Sequence, residues 1–150
     1  MTQRVRAATG GAAPGFRRTF SRSYRGRPDQ VPQVRAFVAR VLDGCPAADD
    51  AVLMTDELAA NAVLFSHSGE PGGMFTVQVE VCDGIWVRVG VEDQGGPTAP
   101  RLRTGGSERD DADDEGGQGL RIVSALSDAW GITGDVIART VWFRLGWDAR

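Results

Sequence analysis

Residues 75–91 leave the chain few choices of fold. Phe75, Val77, Val79 and Val81 alternate with Thr76, Gln78 and Glu80, a period of two. Such a run is a strand with one face buried and the other wet. Asp83-Gly84 follows, the preferred chemistry of a two-residue hairpin turn. The return strand sets Ile85, Val87, Val89 and Val91 against Trp86, Arg88, Gly90 and Glu92. One further step of this parity turns Asp93 inward, in phase with the apolar residues. A buried carboxylate is costly unless something pairs with it or hydrogen-bonds to it, and a ligand is the partner the sequence suggests.

A second irregularity lies upstream. Asp49 to Ser68 reads as one helix, with Val52, Leu58, Ala59, Ala62 and Val63 at near-helical spacing on a side suited to packing on a sheet. Glu57 and Asn61 are four apart, so they stack on one face. Asn inside a helix loses up to ~0.7 kcal/mol relative to Ala. A polar pair beside an apolar stripe is read either as a solvated rim or as a site cut into the domain.

The remaining segments place these two features. Residues 1–18 form a basic arm, rich in Arg and small residues, for which disorder is expected. Thr19 to Arg25 alternates as a short edge strand. Asp29 suits a helix cap before Val31, Val34, Phe37, Val38 and Val41, and Asp43-Gly44 closes that helix. Pro46 suits the first position of the next. Gly95-Gly96-Pro97 ends the return strand, and no periodicity follows until about Gly117. A loop of that length, about 96–117, reads as a lid, a binding loop or disorder. Gly116-Gly117-Gln118-Gly119 then opens a helix carrying Leu120, Val123 and Leu126. Two closing strands, Trp130 to Thr133 and Ala138 to Leu145, flank a Gly134-Asp135 turn. On the last strand Thr140 and Trp142 share one face and Val141, Phe143 and Leu145 the other, and parity does not choose the inward one.

Composition excludes several chemistries. The chain has 150 residues, enough for one domain, and a net charge of −3. Every basic residue is Arg. Without Lys there is no phosphate-binding P-loop lysine and no Schiff base. The basic residues crowd the arm while the body is acidic, so nucleic acid is not expected as a partner. Cys45, Cys82 and the lone His67 supply neither a disulfide framework nor a zinc site. Adjacent Ser66, His67 and Ser68 cannot form a hydrolase triad, because neighbouring side chains do not face each other. No apolar run is long enough to span a membrane, and the first residues lack a signal-peptide core. The cytoplasm is the expected compartment.

Three elements remain: Glu57 and Asn61 on a helix, Asp93 with Gly95 at a strand end, and Gly117-x-Gly119 opening a helix. Helix starts offer unpaired N–H groups to phosphate, and glycine lets an anion approach the backbone closely. An Asn oxygen suits Mg²⁺, which keeps most of its shell from water and phosphate. A carboxylate accepts the hydrogen of an exocyclic amine. Together these parts suit a purine nucleoside triphosphate with metal, under a lid.

The constellation resembles the GHKL (Bergerat-fold) ATPase superfamily, and within it the anti-sigma factor serine/threonine kinases. Glu57-Leu58-x-x-Asn61-Ala62 matches the N box. Val91-Glu92-Asp93-Gln94-Gly95-Gly96 matches the first glycine box, and Gly117-Gln118-Gly119-Leu120-Arg121-Ile122-Val123 the second. Arg139-Thr140-Val141-Trp142-Phe143 resembles the terminal strand.

The resemblance implies an α+β, two-layer sandwich over residues 19–150, with a mixed, mostly antiparallel sheet covered on one face by three helices. It implies that ATP and Mg²⁺ are the cofactors. Asn61 would hold the metal and Asp93 the adenine amine. Gly95 would let the strand end pass under the base, and Gly117, Gly119 and Leu120 belong to the phosphate loop. Thr140 would support the Asp93–adenine contact. Glu57 would be the catalytic base toward a serine of an anti-anti-sigma (STAS-domain) partner. Arg121 is read equally as a phosphate or partner contact and as a solvent-facing residue.

Two functions follow. One is an ATP-dependent protein serine/threonine kinase. The other is a module, binding ATP or no nucleotide, that sequesters a sigma factor or other regulator. Glu57 and Asn61 together favour the kinase. The acidic lid, with Glu108, Asp110, Asp111, Asp113, Asp114 and Glu115, favours the module, because like charge opposes triphosphate. A homodimer through the edge strand at Thr19 to Arg25 is compatible with either.

Overall fold

The structure is a computed structural model that describes residues 15–96 and 115–148, with the backbone alone over 115–119. The arm up to residue 14 and the lid over 97–114 lie outside the described residues.

The alternating stretches build the middle of a five-stranded sheet. The strands are β1 (Arg17–Arg25), β2 (Met74–Cys82), β3 (Trp86–Asp93), β4 (Ala129–Gly134) and β5 (Arg139–Gly146), in the spatial order β1-β2-β3-β5-β4. All four pairings are antiparallel. The long connection after β3 leads to β4 at the edge, and the hairpin return places β5 between them. Among the described residues every strand pair is antiparallel, so the sheet expected to be mixed has no parallel pair there. Helices α1 (Val31–Val41), α2 (Ala48–Phe65) and α3 (Glu115–Leu126) form the second layer: α2 packs on β3 and touches both α1 and α3.

The inner face of the sheet is the alternating set. Val79 stands opposite Val89 and Val81 opposite Val87, and all four are buried. Each valine so buried contributes about 1.5–3 kcal/mol relative to exposure. Ala51, Met54, Leu58, Ala59 and Ala62 of α2 meet this face, whereas Val52 and Val63 flank it, half-buried. On β5 the inward set is Val141, Phe143 and Leu145, the choice that parity left open.

Two local expectations change. Cys82 pairs with Trp86, so the turn has three residues rather than two. Gly84 takes φ 76°, and Ile85 falls outside the strand and is 52% exposed. Three-residue loops are the next commonest hairpin connection after two-residue ones. The edge strand also starts earlier, at Arg17, in the segment expected to be disordered. Asp83 holds it there: Arg18 donates to both carboxylate oxygens, Nη2 at 2.6 Å and Nε at 3.1 Å. Arg17 lies over the Trp86 ring, 5.3 Å from its centroid.

Candidate functional site

The site is assembled where the end of α2 meets the end of β3. Asp49 and Asp50 sit in the first turn of α2, where their charge complements the helix dipole. The Arg35–Asp56 ion pair, 2.7 Å, ties α2 to α1. Beyond Phe65 the helix stops at Ser66, whose hydroxyl donates to the Ala62 carbonyl and accepts from the Ser68 N–H. A short 3-10 turn, His67–Gly69, follows.

That turn is fastened to the end of β3. The His67 N–H donates to the Gly95 carbonyl at 2.8 Å, and the Gln94 N–H donates to Ser68 Oγ at 2.9 Å. The Gln94 side chain accepts from the Met74 N–H. These bonds set the helix that carries Glu57 and Asn61 at a fixed position against the strand that carries Asp93. Ser68 and Gln94 were not singled out from sequence, because their bonds join segments that only tertiary folding brings together.

Glu57 and Asn61 lie one turn apart on α2, both half-buried. Burial raises the pKa of Glu57 above its ordinary value, and the neighbouring Asp56 charge adds to the rise. A group raised in the folded state contributes its full stability below the unfolded pKa and loses it as pH climbs through the folded one. Glu57→Gln mimics the protonated form. We expect it to raise the melting temperature at neutral pH and to leave it unchanged well below pH 4.5. Equal melting temperatures of the two proteins at every pH would refute the burial argument.

Asp93 is buried, as its parity required, and it has partners within the chain. Oδ1 accepts from the Gly95 N–H at 2.7 Å and lies 3.4 Å from Nε of Arg139, which is buried as well. Asp93 and Arg139 are register partners across β3 and β5, so they share a face. Thr140 therefore points away from Asp93. It is half-buried on the opposite face, in register with Glu92 and Thr133. Arg139 takes the place that sequence reasoning gave to Thr140. The signal was present, since Arg139 has the parity of Val141, Phe143 and Leu145.

Gly95 has φ 74°, a conformation that favours glycine, and a Cβ there would collide with the Val136 carbonyl oxygen. The demand for glycine thus comes from the β4–β5 turn packing against the strand end. Asp135 builds that turn: its Oδ1 accepts from the N–H groups of Ile137 and Ala138, which lowers its pKa. Gly117 and Gly119 lie near the start of α3, which begins at Glu115. Leu120 is 1% exposed and packs in the core with Val123, so its side chain anchors α3. Arg121 is exposed. The lid acids before Glu115 lie outside the described residues.

The arrangement packs α2, which carries Glu57 and Asn61, on β3, which ends in Asp93, and on α3, which carries Gly117 and Gly119. Comparison with known proteins gives the same direction. The solved structure of the RsbU and RsbW domains of Rv1364c from Mycobacterium tuberculosis is similar, with a TM-score of 0.55 at 18% identity. The match covers 83% of this chain and 32% of that one. At that identity the likeness is one of fold. No curated protein matches in sequence. The histidine kinase-like ATPase domain matches residues 24–145, most of the chain. The protein belongs to the histidine kinase-like ATPase family, an ATP-binding fold of the GHKL type.

Proposed function

We propose that the protein is an anti-sigma-type regulator that binds ATP with Mg²⁺ and phosphorylates a serine of a STAS-domain partner. The observation that carries this reading is the Glu57/Asn61 pair on α2, held against the end of β3 by the His67–Gly95 and Gln94–Ser68 bonds. Asp93 accepts the amine of adenine. The start of α3, with Gly117 and Gly119, lies against the phosphates. Asn61 holds the metal through its amide oxygen, and Mg²⁺ neutralises phosphate charge. Mg²⁺ keeps most of its shell from water and phosphate, so one amide oxygen is a sufficient contribution from the protein.

Glu57 takes the proton of the acceptor hydroxyl. Its raised proton affinity suits that task, since a general base works best with a pKa nearer the working pH. Phosphoryl transfer asks mainly for positioning and charge neutralisation, so a base and a metal suffice. The similar fold of the mycobacterial protein, with its RsbW domain, supports the regulatory setting. β1 stands at one edge of the sheet, where a second copy could pair. No helix among the described residues is long and apolar enough to cross a membrane.

Calorimetric titration of ATP, with and without Mg²⁺, tests the reading. Metal-dependent binding is expected. Asn61→Ala should reduce affinity in Mg²⁺ by roughly tenfold, about the 1.4 kcal/mol of a lost charge-assisted contact, and have little effect in its absence. Equal affinity of the two proteins in Mg²⁺ would remove Asn61 from the metal site. No binding at millimolar ATP would leave a nucleotide-independent interaction module.

A further inference from the structure

The Asp93–Arg139 pair has a consequence for how nucleotide enters. Both groups are buried, and they meet on the inner face at the strand end. The guanidinium also covers the glycine segment: Nη2 of Arg139 would lie 3.5 Å from a Cβ on Gly96. Under the ATP-binding reading above, that carboxylate accepts the adenine amine and that glycine segment borders the base. The guanidinium thus holds the carboxylate and covers the backbone that a base would use. Its Nε–H offers Oδ1 what an exocyclic amine would offer, one hydrogen-bond donor.

We propose that Arg139 is a positioning residue that acts as a placeholder for the base. In the nucleotide-free protein it neutralises Asp93 and covers Gly96. ATP binds by displacing it, and the adenine amine replaces the donor that is withdrawn. Two properties follow. Apparent affinity is lowered by the fraction of molecules in the self-paired state. Selection for adenine is sharpened, because a base with a keto oxygen at that position would displace the guanidinium and leave a buried carboxylate facing an acceptor.

The test compares the full-length wild type, Arg139→Met and Arg139→Lys by calorimetry with ATP and GTP. Methionine keeps an unbranched apolar stem but cannot pair. We expect Arg139→Met to bind ATP at least about tenfold more tightly, as when a competent fraction near one tenth becomes the whole population. GTP should gain nothing, and Arg139→Lys should stay near wild type. Unchanged or weaker ATP binding by Arg139→Met would overturn the placeholder while leaving the ATP site intact. Absence of ATP binding in wild type and both variants would instead overturn the nucleotide reading itself.

A measurement on the wild type covers the case in which Arg139→Met fails to fold. The Nε–H of a buried, ion-paired arginine gives a protected nitrogen–proton resonance, assigned here by its loss in Arg139→Lys. Saturating ATP should shift that resonance and abolish its protection. A resonance that ATP leaves unchanged would refute displacement.

Discussion

Glu57→Ala should abolish phosphoryl transfer to a serine acceptor while ATP still binds. The carboxylate sits one turn before Asn61 and is half-buried, so its removal takes away a proton acceptor. General bases typically contribute ~10²–10⁴ in rate, and a loss in that range is expected. The check is transfer of labelled γ-phosphate to a STAS-domain protein, run beside calorimetry with ATP. Loss of transfer with retained binding assigns Glu57 to the chemical step. Transfer at the wild-type rate would show that another group takes the proton. The helix should tolerate the change, because Ala is the strongest helix former and the Arg35–Asp56 pair that anchors α2 is untouched.

The second large effect is structural. Asp93→Ala leaves the guanidinium of Arg139 buried without its carboxylate and removes the acceptor of the Gly95 N–H. Breaking a buried pair from one side costs about 3–5 kcal/mol. For a chain of this size each kcal/mol moves the melting temperature by ~2–4 °C, so a fall of roughly 10 °C is expected. Calorimetric or circular dichroism melts would show it. Pairing Asp93→Ala with Arg139→Met should recover part of the loss, since the guanidinium that lost its carboxylate is then gone. A melting temperature within ~2 °C of wild type for Asp93→Ala would show that the pair contributes little. ATP binding should be lost in both Asp93 variants.

The two experiments separate roles that the sequence could only place near each other. Glu57 and Asn61 were legible as a pair because helical spacing alone puts residues four apart on one face. Asp93 was legible as buried because strand parity runs unbroken from Phe75 through the hairpin. The three helices and the order of the elements were also legible, since the change from a period of 3.6 to a period of two is a local property of the chain.

Other placements were not legible, for a shared reason. Thr140 was placed at the base, yet the pairing of β5 with β3 sets Arg139 opposite Asp93 and turns Thr140 to the other face. Leu120 was grouped with the phosphate loop, yet α3 packs on α2 and draws that side chain into the core. At Gly95 the turn built by Asp135 brings the Val136 carbonyl against the backbone, a second demand for glycine there. Each case depends on a partner distant in sequence.

The sequence by itself determined the elements, the two alternating strands of the core, and the inward aspect of Asp93, because these depend on periodicities carried within a few residues. Tertiary structure decided which face of β5 is inward and which residue meets the buried carboxylate. It also fastened α2 to the end of β3. Those outcomes rest on strand register and on bonds between segments 26 to 46 positions apart, as Gln94–Ser68 and Arg139–Asp93 are. No local pattern encodes such a pairing, since the free energy that selects it is gained only when both segments are buried together.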